Sequence, residues 1–180
     1  LNLEGRDCVV IGAVNDPEAI EKTRALEEAG ARVRWIQDAN SLRDEDVAEA
    51  FFVISTPLDE TLSARLRALA DRHHFLLCCI DQPVYGFVAM QAVAKAGPAR
   101  ITVSTGGVSP AVSKRWRIAI QRALDEKFAR FMAALRVRRT ANRALPDAEA
   151  RKAAGREAAE GFDVQISVRY PDWFESGPAK

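Results

Sequence analysis

Three groups of residues carry side chains that could do chemistry. Asp81 stands in the run CIDQP, where an apolar stretch gives way to an Asp-x-Pro turn. A carboxylate at the carboxyl end of a buried parallel strand lies where open α/β sheets bind ligands, and it can take a proton from a reacting substrate. The same Asp-x-Pro pattern also serves as plain turn chemistry, with the aspartate bonding its own backbone. Gly12 closes the apolar run CVVI and opens the loop Ala13-Val14-Asn15-Asp16-Pro17-Glu18. Lys114, Arg115 and Arg117 come shortly after STGGVSP, past Ala111-Val112-Ser113.

The loop after Gly12 has the outline of a dinucleotide site and lacks its glycines. A diphosphate needs free backbone N–H groups at a helix N-terminus and glycines that let it approach the chain. Here Asp16 is placed as an N-cap, Pro17 as the first helical residue and Glu18 in the first turn. Each choice favours the helix. Together they oppose a diphosphate, because Asp16 competes for the N–H groups and two carboxylates repel an anion. The expectation is a cofactor domain with weak affinity for NAD. Its candidate cofactor-binding residues are Gly12, Asn15, Asp16, Asp38, Ala39 and Thr56. Asp38, after the second apolar run, either bonds a ribose hydroxyl or caps the following turn.

These residues need a frame, and the pattern supplies one. Near-continuous apolar runs at Cys8–Ile11, Val33–Ile36, Phe51–Ile54 and Phe75–Ile80 read as strands buried on both faces. Helical spacing follows from Pro17, with Ile20, Thr23 and Leu26 on one face, and again from Asp59 to Arg72, with Leu62, Leu66 and Leu69. Strand–helix alternation predicts a Rossmann-like parallel sheet over residues 1–83. Beyond Pro83, RITVSTGG reads as a strand ending in a glycine turn, and Ser109-Pro110 as the start of a helix carrying Trp116, Ile120 and Leu124. Residues 84–128 are expected to form a small α+β dimerisation domain, because that stripe is more apolar surface than so short a segment buries by itself. Residues 129–180 are expected to be helical, closing on a half-buried strand through Phe162, Val164, Ile166, Val168 and Tyr170.

The charge is close to balanced overall, but residues 111–160 hold 13 Lys and Arg against 6 Asp and Glu. That bias suits an anionic partner such as a polycarboxylate or a phosphate compound, and equally a solvated helical face. No nucleic-acid recognition motif or aromatic stacking platform accompanies it. No apolar run reaches the length of a membrane span. Cys8, Cys78 and Cys79 lie in apolar runs and read as buried reduced thiols, which suits the cytoplasm. His73 and His74 fall at a helix C-terminus, and no Cys or acidic residue is spaced with them as a metal site requires. No metal ligand is expected.

The motifs LNLEGRDCVVIG, EAGARV, AEAFFVIST, CCIDQP, GPARITVSTGGVSPAVSKRWR and RYPDWF together resemble the precorrin-2 dehydrogenase/sirohydrochlorin ferrochelatase family, the N-terminal module of siroheme synthases. The resemblance spans nearly the whole chain. It implies a homodimer acting on a tetrapyrrole in siroheme biosynthesis, with NAD-dependent oxidation of precorrin-2 and, in many members, insertion of ferrous iron as a second substrate. It implies that Asp81 takes part in proton transfer and chelation. It places Thr105 and Gly106 by the substrate, and Lys114, Arg115 and Arg117 are expected to meet the substrate's carboxylates. Cofactor-independent chelation, or tetrapyrrole binding without catalysis, are the alternatives. The sequence departs from the family where the Gly-Gly-Gly loop is replaced, where Pro57 follows Thr56 in place of an acid, and where Cys78 replaces an asparagine. Only residues 37–50 separate the second and third strands, where the family fits a further strand and helix. Either the cofactor domain is trimmed or residues are absent there.

Overall fold

The computed structural model describes residues 2–175. The chain divides into two compact units at Gln91/Ala92.

The first unit is a four-stranded parallel sheet. Its strands are β1 (Asp7–Ile11), β2 (Arg32–Ile36), β3 (Phe52–Ser55) and β4 (Leu76–Cys79), in the order β2-β1-β3-β4. Its helices are α1 (Pro17–Glu28), the single turn α2 (Glu45–Ala48) and α3 (Glu60–His73). Register is fixed by pairs such as Ile11 with Ile36 and Ile11 with Ser55. Alternate residues of the strands feed two cores. Val9, Ile11, Val53, Leu77 and Cys79 pack with Leu62, Leu66 and Leu69 of α3. Cys8, Val10, Phe52, Ile54 and Cys78 pack with Ala19 and Leu26 of α1. Burial on both faces is why β1, β3 and β4 read as unbroken apolar runs; β2, expected to be buried on both faces as well, lies at the edge and exposes Arg32 and Arg34.

The strand and helix positions expected for this region hold to within a residue or two. Between β2 and β3 the chain makes only a 3-10 turn (Ala39–Ser41) and α2. Among the described residues, therefore, β2 is an edge strand of a short Rossmann-like sheet. All three thiols are free and buried. Burial pushes each of them up from its ordinary pKa, so they stay protonated and packed. His74 ends α3 in the left-handed conformation, φ 63°, and its N–H donates to the Ala70 carbonyl.

The second unit pairs β5 (Ala92–Ala96) with β6 (Ala99–Val103) as an antiparallel ribbon. Then come α4 (Pro110–Ala123), α5 (Glu126–Ala141), α6 (Ala148–Ala158) and the single turn α7 (Asp172–Glu175). Ser109 caps α4 with Pro110 at its first position, as expected. β5 was not foreseen, because AVAKA carries no bulky or aromatic residue to mark a strand.

The strand expected through Phe162, Val164, Ile166, Val168 and Tyr170 is absent. This segment has no ladder partner among the described residues, and each of the five side chains is at least half exposed. Alternation gives a chain two faces, but a strand exists only where a neighbour accepts its N–H groups. Phe162 instead stacks on Phe131 of α5, ring centroids 5.3 Å apart.

Candidate functional site

The carboxyl ends of β1 and β3 meet at the point where chain order reverses in the sheet, the crevice in which open α/β folds bind ligands. The structure brings Gly12, Asp16 and Thr56 together there. Gly12 is locked on both sides: its N–H donates to the Ile36 carbonyl at 3.0 Å, and its carbonyl accepts from the Trp35 indole N–H at 2.8 Å. A Cβ on Gly12 would collide with Thr56 Oγ1, the Ala19 methyl and Asp16, so only glycine fits. Sequence reading missed Trp35. Its signal was the register, which sets it one residue before the partner of Ile11.

Asp16 does what its N-cap position predicts, and more. One carboxylate oxygen accepts the Glu18 N–H at 2.9 Å, and the other accepts the Thr56 hydroxyl. Pro17 has no N–H to offer. The first turn of α1 is thus largely closed to a diphosphate. The repulsion expected from Glu18 is reduced, because Lys22 pairs with its carboxylate at 3.0 Å. Lys22 loses solvent by burial, but Glu18 and Glu21 hold its ammonium above its ordinary pKa. The exposed loop residues Ala13, Val14 and Asn15 keep backbone N–H groups that bond no other described residue. These donors fit a diphosphate held by a few contacts, as a weak site would hold it.

Asp38 caps the 3-10 turn, accepting from the Asn40 N–H at 2.9 Å and from its amide at 3.1 Å. Ala39 packs against the core rather than toward the crevice. Asp38 also lines a hollow of about 440 Å³ beside β2, together with Trp35, Arg34, Arg43 and Asp46. Asp46, whose side chain is only 4% exposed, draws in Arg34 at 2.6 Å and Arg43 at 3.0 Å. The Arg43 guanidinium and backbone N–H, with Arg34, hold its carboxyl down at about 2. Nothing in the run RDEDV singled out Asp46 beforehand, since only the fold turns it inward.

Asp81 follows β4 directly. The Ile80 N–H extends the ladder to the Ser55 carbonyl at 2.8 Å, and the Gln82 N–H then closes a turn onto the Cys79 carbonyl at 3.3 Å. Asp81 is the third residue of that turn, with φ 58°. Glycine is the ordinary choice at such a position, with asparagine and aspartate tolerated. The exposed Asp81 carboxylate bonds no other described residue, so it is not capping the turn. After the turn the chain folds back, with the Phe87 and Val88 N–H groups both donating to the Leu77 carbonyl.

In the second unit, Gly106 and Gly107 both take positive φ, 62° and 82°, and lead into α4. Thr105 is spent on that turn. Its hydroxyl accepts the Ser109 N–H, and it lies 3.0 Å from both the Ser109 carbonyl and Ser113 Oγ. Lys114 and Arg115 are exposed on α4 and Arg117 is half-buried. No group of three His, Cys, Asp or Glu among the described residues is arranged to hold a metal ion.

A family model described as putative NAD(P)-binding matches residues 1–92. The siroheme synthase of Thioalkalivibrio sulfidiphilus is 26% identical over 89% of this chain and 36% of its own length. That of Ectopseudomonas mendocina is 29% identical over 66% of this chain and 29% of its own. The chain thus spans about a third of the length of these curated relatives. A solved structure titled SirC, precorrin-2 dehydrogenase, shares the fold with a TM-score of 0.68 at 17% identity, over 99% of this chain and 91% of that one. With its first 92 residues matched and the crevice of the parallel sheet in place, the chain belongs to the putative NAD(P)-binding family.

Proposed function

We propose that this chain oxidises precorrin-2 to sirohydrochlorin in siroheme biosynthesis, with NAD(P)+ as the oxidant and Asp81 as the proton acceptor. The observation that carries this reading is Asp81 itself: a carboxylate at a parallel-strand end, on a backbone that favours glycine, and unused by the turn it occupies. Backbone outliers cluster at active sites, and aspartate is among the few residues other than glycine that tolerate this one. The siroheme synthase relatives and the precorrin-2 dehydrogenase neighbour supply the substrate class.

When bound, the dinucleotide supplies a hydride acceptor. The N–H groups of Ala13, Val14 and Asn15 would hold its diphosphate, and Asp38 would bond a ribose hydroxyl. Oxidation removes two hydrogens from the tetrapyrrole. One leaves as hydride with its electron pair; the other leaves as a proton, and Asp81 takes it. Being exposed, Asp81 then returns that proton to water. Lys114, Arg115 and Arg117 bind substrate carboxylates beyond the Gly106-Gly107 turn. The second unit works as a homodimer: its buried side chains among the described residues are only Ala94, Ala96 and Ser113, while Ile101 and Val112 stay exposed.

The closed first turn of α1 favours a second reading, in which the chain inserts ferrous iron into sirohydrochlorin without the dinucleotide. Asp81 then accepts the pyrrole N–H protons that the metal displaces. One anaerobic experiment separates the two. With precorrin-2, absorbance of sirohydrochlorin appears only when NAD+ is added if the first reading holds. Iron-dependent conversion of supplied sirohydrochlorin without NAD+ supports the second.

A further inference from the structure

A groove in the second unit is lined by none of the residues assigned a role above. It lies between α5 and α6 and holds about 880 Å³, near the upper end for small-molecule sites. Its rim carries six cations: Arg136, Arg138, Arg139, Arg143, Arg151 and Lys152. No aspartate or glutamate lines it. Lys152 pairs with Glu149 at 2.8 Å, and Arg151 donates to the Leu145 carbonyl at 3.0 Å. The other four arginines form no ion pair or side-chain hydrogen bond with another described residue.

This arrangement works against the fold that holds it. Arg136 and Arg139 stand three residues apart on α5, a spacing at which like charges repel along a helix, and Arg143 follows in the 3-10 turn Asn142–Ala144. The negative end of the α5 dipole offsets part of that repulsion only. The floor has the opposite character. Met132 and Leu135 of α5 line it together with Gly155 and Ala158 of α6 and Ala159 just beyond that helix. A Cβ on Gly155 would meet nothing within 4 Å, so these small residues leave open space rather than a close helix contact. A second copy of the chain is a poor occupant, since a symmetric contact would oppose cation to cation.

We infer that this groove is a binding site for an amphipathic polyanion, a ligand with a flat apolar body for the floor and several carboxylates for the arginine rim. The inference rests on the tetrapyrrole reading for the natural ligand, a polycarboxylate macrocycle. It adds a docking site on the helical segment whose lining residues differ from those assigned to the reaction. A phosphate compound or a nucleic acid would use the rim and leave the apolar floor unused.

The test uses the full chain and uroporphyrin III, a stable octacarboxylate porphyrin, followed by its fluorescence. Wild type binds it, and Arg139→Glu with Arg143→Glu weakens binding at least about tenfold and flattens its dependence on salt. Gly155→Trp fills the floor and weakens binding with all six cations in place. Arg72→Glu, a charge reversal in the first unit, changes affinity by less than about twofold. Circular dichroism confirms that each variant is folded. Uroporphyrin binding that survives both groove variants in a Lys114→Glu, Arg115→Glu background, which removes the carboxylate contacts proposed for the catalytic site, overturns the proposal. So does a groove that loses triphosphate or single-stranded RNA in the arginine variants but is indifferent to Gly155→Trp. Oxidation of precorrin-2 is read separately. If no turnover is found but the groove variants lose uroporphyrin, the proposed activity fails and the site stands. If turnover is found and the groove variants keep uroporphyrin in that background, the site fails and the activity stands.

Discussion

The two units handle apolar surface in opposite ways. In residues 2–91 the strands β1, β3 and β4 bury both faces, and Val10, Ile54, Leu66 and Leu77 are fully enclosed. In residues 92–175 the ribbon and helices enclose two alanines and a serine, while Val137, Ile166 and Trp173 stand in solvent. A parallel sheet closed by helices on both sides completes its own core. A two-stranded ribbon with helices beside it does not, and needs a further surface to reach ordinary stability. The first unit therefore carries the geometry of a self-contained site. The second carries surfaces, apolar and cationic, that wait for something to cover them.

The largest expected effect tests that contrast directly. Leu66→Ala removes a fully buried side chain and costs about 2–5 kcal/mol, with an unfolding midpoint that does not depend on protein concentration. Ile101→Asp with Val112→Asp touches only exposed positions of the second unit. It should leave the fold in place and halve the mass measured by light scattering at micromolar concentration. A wild-type monomer under those conditions removes the homodimer.

A smaller effect concerns the α1 loop. Asp16→Ala releases the Glu18 N–H and the Thr56 hydroxyl, at a cost of about 1 kcal/mol for the lost cap. NAD+ binding, measured by calorimetry, should tighten several-fold while thermal stability falls. Adding Glu18→Ala should change little more, because Lys22 already neutralises that charge. Wild-type binding at low micromolar concentration contradicts the closed-loop account.

The smallest effect is acid-dependent. Asp46 is held at about 2, below the ordinary carboxylate value. Its unfolded form binds the proton first, so its contribution to stability is complete above about pH 4 and is lost as pH falls through about 2. The urea midpoints of wild type and Asp46→Asn should differ most near neutrality and converge toward the acid end of that window.

The same contrast governs how much could be read from sequence. The sheet, its helices and the caps at Asp16 and Ser109 were legible because each is written in local pattern: apolar runs, a capping residue, a proline at the first position. The crevice was legible as a place, through Gly12, Asp16 and Thr56. The bond from Thr56 to Asp16, the indole of Trp35 on the Gly12 carbonyl and the inward turn of Asp46 depend on the tertiary fold and leave no local mark. The segment from Phe162 to Tyr170 shows the converse. Its alternation is plain in the sequence, but whether it becomes a strand is decided by a partner edge that the described residues do not provide.

Asp81 gives the most direct test of the proposed activity. Asparagine tolerates the same left-handed backbone and has nearly the same shape, but it cannot accept the proton. Asp81→Asn should keep its stability, its oligomeric state and its affinity for uroporphyrin III. Single-turnover oxidation of precorrin-2 with saturating NAD+ should slow by roughly 10²–10⁴. Asp81→Gly should be at least as stable as wild type and equally slow. Turnover at the wild-type rate in the asparagine variant would contradict the assignment of Asp81 as the proton acceptor.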